Sequence, residues 1–190
     1  GLPLWSENDL LSENSIEKIN QKIKASEKFL VRVPIKISPK KEDKAKEYEI
    51  NKNESVTGFM EVSYAPLPDM RVFRPQYYRK ALQVSEVTTS RNPSGYYVLV
   101  TVDDKNLSRF LGDAEGINHT NWLPSSESFS GEYEYGAQWL TYIKNAPNGI
   151  LRLLQDEEKE DRELTKRFFS IEPEKPASGK KTKTTKNSGN

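Results

Sequence analysis

Asp113-Ala114-Glu115-Gly116-Ile117-Asn118-His119-Thr120-Asn121-Trp122 contains the only histidine of the chain. Two carboxylates and an imidazole fall within seven residues. Asp113, Glu115 and His119 are side chains of the kind that ligate a divalent cation. A metal-dependent hydrolase centred on them is therefore one reading. Gly116 and Asn118 oppose the helical spacing that would align Glu115 with His119. A second reading is a hydrogen-bonded loop that pins Trp122 into the core. In that case His119 is a buried polar group, and losing its partner costs about 1–3 kcal/mol. A third reading is a loop that touches a partner.

Arg71-Val72-Phe73-Arg74-Pro75-Gln76-Tyr77-Tyr78-Arg79-Lys80 interleaves four cations with three aromatics and holds no acid. Cations can meet phosphates, and aromatic faces can stack on bases at about 1–3 kcal/mol each. Arg71, Phe73, Arg74, Tyr77, Tyr78, Arg79 and Lys80 are thus the candidate binding residues. The competing reading is a strand and turn whose aromatics are core and whose cations reach solvent. On a strand, Arg71 and Arg79 share one parity, while Arg74 and Lys80 share the other. Convergence of the four cations on one face requires a turn at Pro75.

Other chemistry is missing from the sequence. There is no cysteine, which excludes disulfides, thiolate nucleophiles and cysteine-ligated zinc. One histidine leaves one possible base for a hydroxyl nucleophile. No Gly-x-Ser-x-Gly elbow, phosphate-binding Gly-x-x-x-x-Gly-Lys-Ser/Thr or Gly-x-Gly-x-x-Gly occurs. Neither do the expected strands carry Glu-x-Lys of the nuclease type. No catalytic residue, metal or cofactor is assigned.

The elements that would position these residues follow from periodicity. The chain has 190 residues, 34% hydrophobic and 30% charged, with net charge +1. That charge creates no global field for a polyanion or an anionic membrane. No apolar run exceeds five residues, so no membrane helix is expected. Ile16, Ile19 and Ile23 predict a helix over Ser15–Lys28, capped by Ser15. Leu30–Ile37 alternates and is β-branched, with Pro34 marking an edge strand. Pro39–Asn53 is expected to be a charged loop or hairpin tip. Val56–Tyr64 alternates again. Further strands are expected at Met70–Phe73 and Ala81–Thr88, the latter with Leu82, Val84 and Val87 inward. Asn92-Pro93-Ser94-Gly95 is a turn signal. Tyr96–Val102 is the most apolar run and reads as the central strand. Asp103 and Asp104 open a helix over Lys105–Leu111, which Gly112 stops. Asp113–Tyr135 reads as irregular, with Ser125–Tyr135 a poor core and a surface loop. A long helix over Gly136–Leu154 carries the apolar-periodic residues Trp139, Leu140, Ile143, Ile150, Leu151 and Leu154. Pro147 and Gly149 should kink or split it. Asp156–Phe169 extends or follows it. The expected fold is α+β: a mainly antiparallel sheet of four to five strands framed by an N-terminal helix and a long C-terminal helix.

Residues 1–171 read as one domain. Residues 172–190 hold five lysines, two acids and no large apolar side chain, and read as a disordered basic tail. The start at Gly1 without a signal-peptide pattern suggests a fragment of a longer, cytoplasmic protein.

One region resembles a known family. Tyr97-Val98-Leu99-Val100-Thr101-Val102-Asp103-Asp104, Leu107, Leu111-Gly112-Asp113-Ala114-Glu115 and His119-Thr120-Asn121-Trp122 are similar to the C-terminal part of large bacterial ATP-binding proteins. Tyr133-x-Tyr135-Gly136 and Trp139…Ile143-Lys144…Ala146-Pro147 continue that similarity, which spans about residues 70–154. Such proteins carry an N-terminal ATPase domain of the gyrase/chaperone/histidine-kinase type. The ATPase motifs are absent here, so no catalytic residue carries over. The resemblance implies a non-catalytic C-terminal part. The leading expectation is an accessory interaction module of an intracellular bacterial protein. Its partner would be another protein or the remainder of its parent chain, with no membrane contact. A small nucleic-acid-binding domain using the Arg71–Lys80 stretch and the lysine tail is the alternative.

Overall fold

In the computed structural model, β-branched and aromatic residues alternate along three long strands, which form the middle and one edge of a five-stranded sheet. The structure describes residues 13–67, 69 and 72–155. In chain order the elements are α1 (Glu13–Lys24), β1 (Phe29–Ile37), α2 (Glu42–Glu47), β2 (Val56–Pro66), β3 (Gln76–Arg79), β4 (Leu82–Gln83), β5 (Tyr96–Val102), α3 (Lys105–Ala114) and α4 (Gly136–Gln155). The fold is α+β, with an N-terminal helix and a long C-terminal one, as the sequence indicates. Strand order is β1-β2-β5-β3-β4. All pairings are antiparallel except β3 with β5, which is parallel. The run Tyr96–Val102 is the middle strand, and Pro34 lies on edge strand β1. Its missing N–H is tolerated there.

Period two divides the sheet into two unlike faces. Val31, Val62, Val100 and Tyr77 are partners across four strands, as are Phe29, Tyr64 and Val98 across three. All seven are buried. Phe29 stacks on Tyr64 at 4.6 Å between ring centres, with Tyr96 edge-on to both. α3 docks on this face through Gly58: a Cβ there would lie 2.7 Å from Leu107 Cβ and 2.8 Å from Leu107 N. Asp104 caps α3 by accepting from the Leu107 N–H at 2.8 Å. α4 joins the same face through two tyrosines. Tyr64 donates to the Pro147 carbonyl at 2.8 Å, and Tyr77 to the Lys144 carbonyl at 2.6 Å. α1 packs against β1 and α4, burying Ile19.

Several expectations are corrected. Pro147 and Gly149 do not split α4, which runs as one helix through both. The two tyrosine hydroxyls anchor the turn beside the proline, where one helical hydrogen bond is lost. The stretch Pro39–Asn53 is not merely a loop: α2 forms within it and buries Ala45, and Tyr48 just after it is buried as well. α3 passes Gly112 and ends at Ala114. α1 ends at Lys24 rather than Lys28, where Ser26 takes a left-handed φ of 52°. Ala81–Thr88 forms strand only at Leu82–Gln83, and Leu82 is exposed, while Val84 and Val87 are buried. Gln76–Arg79 is a strand, which agrees with the strand-and-turn reading of the Arg71–Lys80 stretch. Ser125–Tyr135 is not a poor core: Phe129 and Tyr133 pack on Phe110 at 5.0 and 4.8 Å. Part of the Met70–Phe73 strand, the Asp156–Phe169 helix and the residue 172–190 tail lie outside the described residues.

Candidate functional site

β3 directs Tyr77 and Arg79 to the helix-covered face of the sheet and Gln76 and Tyr78 to the other. Arg79 reaches the C-terminal end of α3 and meets Glu115. Its Nε donates to Glu115 Oε1, and its Nη2 donates to Oε2 at 2.7 Å. Such a two-point pair is stronger and more directional than a single charged hydrogen bond. His119 Nδ1 lies 2.8 Å from the same Oε2. The Glu115 side chain is only 1% exposed. Burial works against its charge, and Arg79 with His119 outweighs that, holding the carboxyl below the ordinary range. The Trp122 indole N–H lies near this carboxylate and favours its charge, without reaching hydrogen-bond geometry.

Glu115 and Trp122 pair as the base of a hairpin. Its turn closes where the His119 N–H donates to the Gly116 carbonyl at 2.9 Å. His119 has a left-handed φ of 54°, which closes the turn. Two further segments hold this hairpin. The Glu86 N–H donates to the Thr120 carbonyl at 2.6 Å, and Thr120 Oγ1 donates to Glu86 at 2.9 Å. Lys144 Nζ of α4 donates to the Trp122 carbonyl at 2.6 Å. Burial lowers the pKa of that ammonium. Trp122 itself is fully buried, edge-on to Tyr77 at 5.5 Å.

The loop thus places Trp122 in the core, as one reading of the sequence holds. It does so without burying His119, whose side chain is 61% exposed. The buried polar group is Glu115, and His119 braces it from the solvent side. That is a correction to the expected role of His119.

Asp113 belongs to a different cluster. Lys44 Nζ of α2 lies 2.7 Å from its Oδ2, and the Tyr133 hydroxyl donates to the same oxygen. The Tyr48 hydroxyl is 2.8 Å from that of Tyr133. Burial lowers the Lys44 pKa, but Asp113 and then Glu47 more than offset this. Asp113 and Glu115 therefore face different cations and do not converge with His119. Among the described residues, no three His, Asp or Glu side chains gather in a way that could hold a metal ion.

The Arg71–Lys80 stretch divides as strand parity requires. Tyr77 is core and Arg79 is engaged by Glu115. Phe73, Arg74 and Lys80 are exposed, and Tyr78 is half-buried on the far face. Arg71 lies outside the described residues.

The far face of the sheet is mostly half-buried, with Leu30 buried and Tyr97 exposed. In register it presents Arg32, Glu61, Thr101 and Tyr78 in one row and Leu30, Ser63, Leu99 and Gln76 in the next. Pro34 and Phe59 pair on it, as do Ala65 and Tyr97. The Arg32 guanidinium sits 4.0 Å from the Phe59 ring centre, a cation–π contact. Tyr97 donates to Gln76 at 2.5 Å. The sequence signalled this face only through alternation along each strand. Register, which assembles it, is a pairing property.

No family model matches the chain, and neither a curated protein nor a solved structure matches it. Among the described residues no helix is long and apolar enough to cross a membrane.

Proposed function

We propose that this chain is a non-catalytic interaction module of a larger bacterial cytoplasmic protein, C-terminal to an ATPase domain, and that it makes contact through the far face of the sheet. The supporting observation is the composition of that face. Phe59, Tyr78, Tyr97 and Leu99 lie on one face of three adjacent strands, and the Arg32 guanidinium sits 4.0 Å from the Phe59 ring centre. Aromatic and arginine side chains dominate binding energy at protein interfaces. The occupant is a protein surface rather than a polyanion, because Glu61 stands directly opposite Arg32 in register. The side chains considered for hydrolysis support the same reading: Glu115 is engaged by Arg79 and His119, and Asp113 by Lys44 and Tyr133. The ATPase neighbour rests on the resemblance alone.

The test uses the segment encoded upstream in the same reading frame, expressed separately and titrated with this chain. Micromolar or tighter binding is expected, weakened at least about tenfold in Phe59→Ser/Tyr97→Ser/Leu99→Ser with the fold retained. Absence of an upstream ATPase domain, or equal binding by the triple variant, contradicts the proposal.

A second reading has one observation in its favour. Phe73, Arg74 and Lys80 are exposed, so part of the basic-aromatic stretch is free for single-stranded nucleic acid. With Arg79 engaged by Glu115, that reading loses one of its four cations. Anisotropy titration with single-stranded and duplex oligonucleotides decides it, since binding through Arg74 and Lys80 must weaken with salt and with their replacement by Ala.

A further inference from the structure

Strand β1 is the long edge of the sheet, with nine residues, whereas β4 at the opposite edge has two. Val31, Val33, Ile35 and Ile37 make it a strongly β-forming segment. An edge of that length and composition is a template on which another chain can add a strand. Backbone parity decides which residues offer the template. In an antiparallel pair, alternate residues turn their N–H and C=O toward the partner strand, and the residues between turn theirs away. Pro34 has no N–H and belongs to the outward set. Ser38 and Lys40 share its parity and bond away from β2. The Glu134 N–H donates to the Ser38 carbonyl, and the Lys40 N–H donates to the Glu132 carbonyl, both at 2.8 Å. The outward set within β1 is therefore Leu30, Arg32, Pro34 and Lys36, and no described strand pairs with it.

Pro34 removes a donor from the middle of this edge. Arg32 and Lys36 stand two residues to either side of it, so both cations flank the gap on one face. A second copy adding antiparallel meets both obstacles. With Val33 opposite itself, each Arg32 carbonyl faces a Pro34 that cannot donate. With Pro34 opposite itself, both donors are missing, and Arg32 stands opposite Lys36 twice, like charge against like charge. We propose that Pro34, with Arg32 and Lys36 beside it, bars the outer edge of β1 from pairing with a second copy of this chain. This backbone edge is distinct from the sheet face proposed for partner contact, and either assignment can fail without the other.

Sedimentation and amide exchange on the whole chain test this. In the wild type, the Arg32 and Lys36 amides should exchange more than about tenfold faster than those of Val31, Val33, Ile35 and Ile37, which turn toward β2. Pro34→Thr restores the donor and Lys36→Thr removes a charge, each with a residue suited to strands. Pro34→Thr/Lys36→Thr should self-associate where the wild type and Lys36→Thr alone do not, and pairing should slow the amides of Arg32 and position 36. Pro34→Thr/Lys36→Glu should associate at least about fivefold more tightly still, because two attractive pairs with Arg32 replace two repulsive ones. Salt should weaken that gain. The proposal is overturned if the wild-type Lys36 amide is as protected as that of Ile35, or if both double variants keep the fold and stay monomeric. It is equally overturned if they associate while the amides of Arg32 and position 36 still exchange fast, or if the two double variants associate equally.

Discussion

Arg79, the last residue of β3, and Glu115, the first residue after α3, are joined by two parallel hydrogen bonds although 36 positions separate them. This pair decides how the loop around His119 is understood. A carboxylate with both oxygens occupied and 1% exposure is a brace. Removing one partner would leave an uncompensated buried charge, which costs about 3–5 kcal/mol. The hairpin that Glu115 starts is thereby tied to the sheet, and Trp122 is seated against Tyr77.

Gly58 sets the depth at which α3 enters the sheet. Gly58→Ala should destabilise the protein by about 1–3 kcal/mol, because the new methyl meets the Leu107 backbone and not only a movable side-chain end. Calorimetry checks this. An unchanged melting temperature would mean that α3 does not approach β2 so closely.

Lys80 and Ala81 both have positive φ, 46° and 64°, in the two-residue turn between β3 and β4. Asn-Gly is the natural pair for such a turn. Lys80→Asn/Ala81→Gly should therefore raise stability by about 1–2 kcal/mol, since left-handed backbone costs about that for ordinary residues. Denaturant unfolding of the double variant measures it, and a loss of stability would show that the turn has another geometry.

Strands β1, β2 and β5 were legible because β-branched and aromatic residues alternate over seven or more positions. β3 is four residues long, and its Tyr77-Tyr78 pair reads equally well as a binding stretch. The β3–β4 hairpin was hidden because Lys80-Ala81 lacks the glycine that normally marks such turns. α2 was hidden because five of its six residues are charged and only Ala45 among them is buried. Phe129 and Tyr133 were obscured by the serines and glutamates around them, although they complete the Phe110 cluster. At the site, the sequence brought Asp113, Glu115, His119 and Trp122 to notice through their spacing. It could not show that Glu115 turns to Arg79 while Asp113 turns to Lys44, because those partners come from distant parts of the chain.

Burial raises the pKa of Tyr48, Tyr64, Tyr77, Tyr133 and Tyr142, with hydrogen bonding to Asp113 adding to the effect at Tyr133. An unfolded phenol ionises near pH 10. Above that pH the unfolded chain loses protons that the folded chain keeps, so stability must fall as pH rises. Phenolate absorbance followed against pH should show these five titrating only together with unfolding. Smooth ionisation of all nine tyrosines in the folded protein would contradict their burial.

Amide exchange in Glu115→Gln tests the brace most directly. The Gly116, His119 and Leu123 amides donate to Asn121, Gly116 and Ala114 carbonyls within the hairpin and at its base. In the variant these three should lose protection by more than about tenfold relative to the strands. Glu115 also has a lowered pKa, so its contribution is present above the unfolded value of about 4.3 and is lost as pH falls through its folded pKa. The wild type should therefore lose stability in that acid window, and Glu115→Gln should lack that part of the pH dependence. Unchanged protection of the three amides, with an unchanged acid limb, would show that Glu115 does not hold the hairpin.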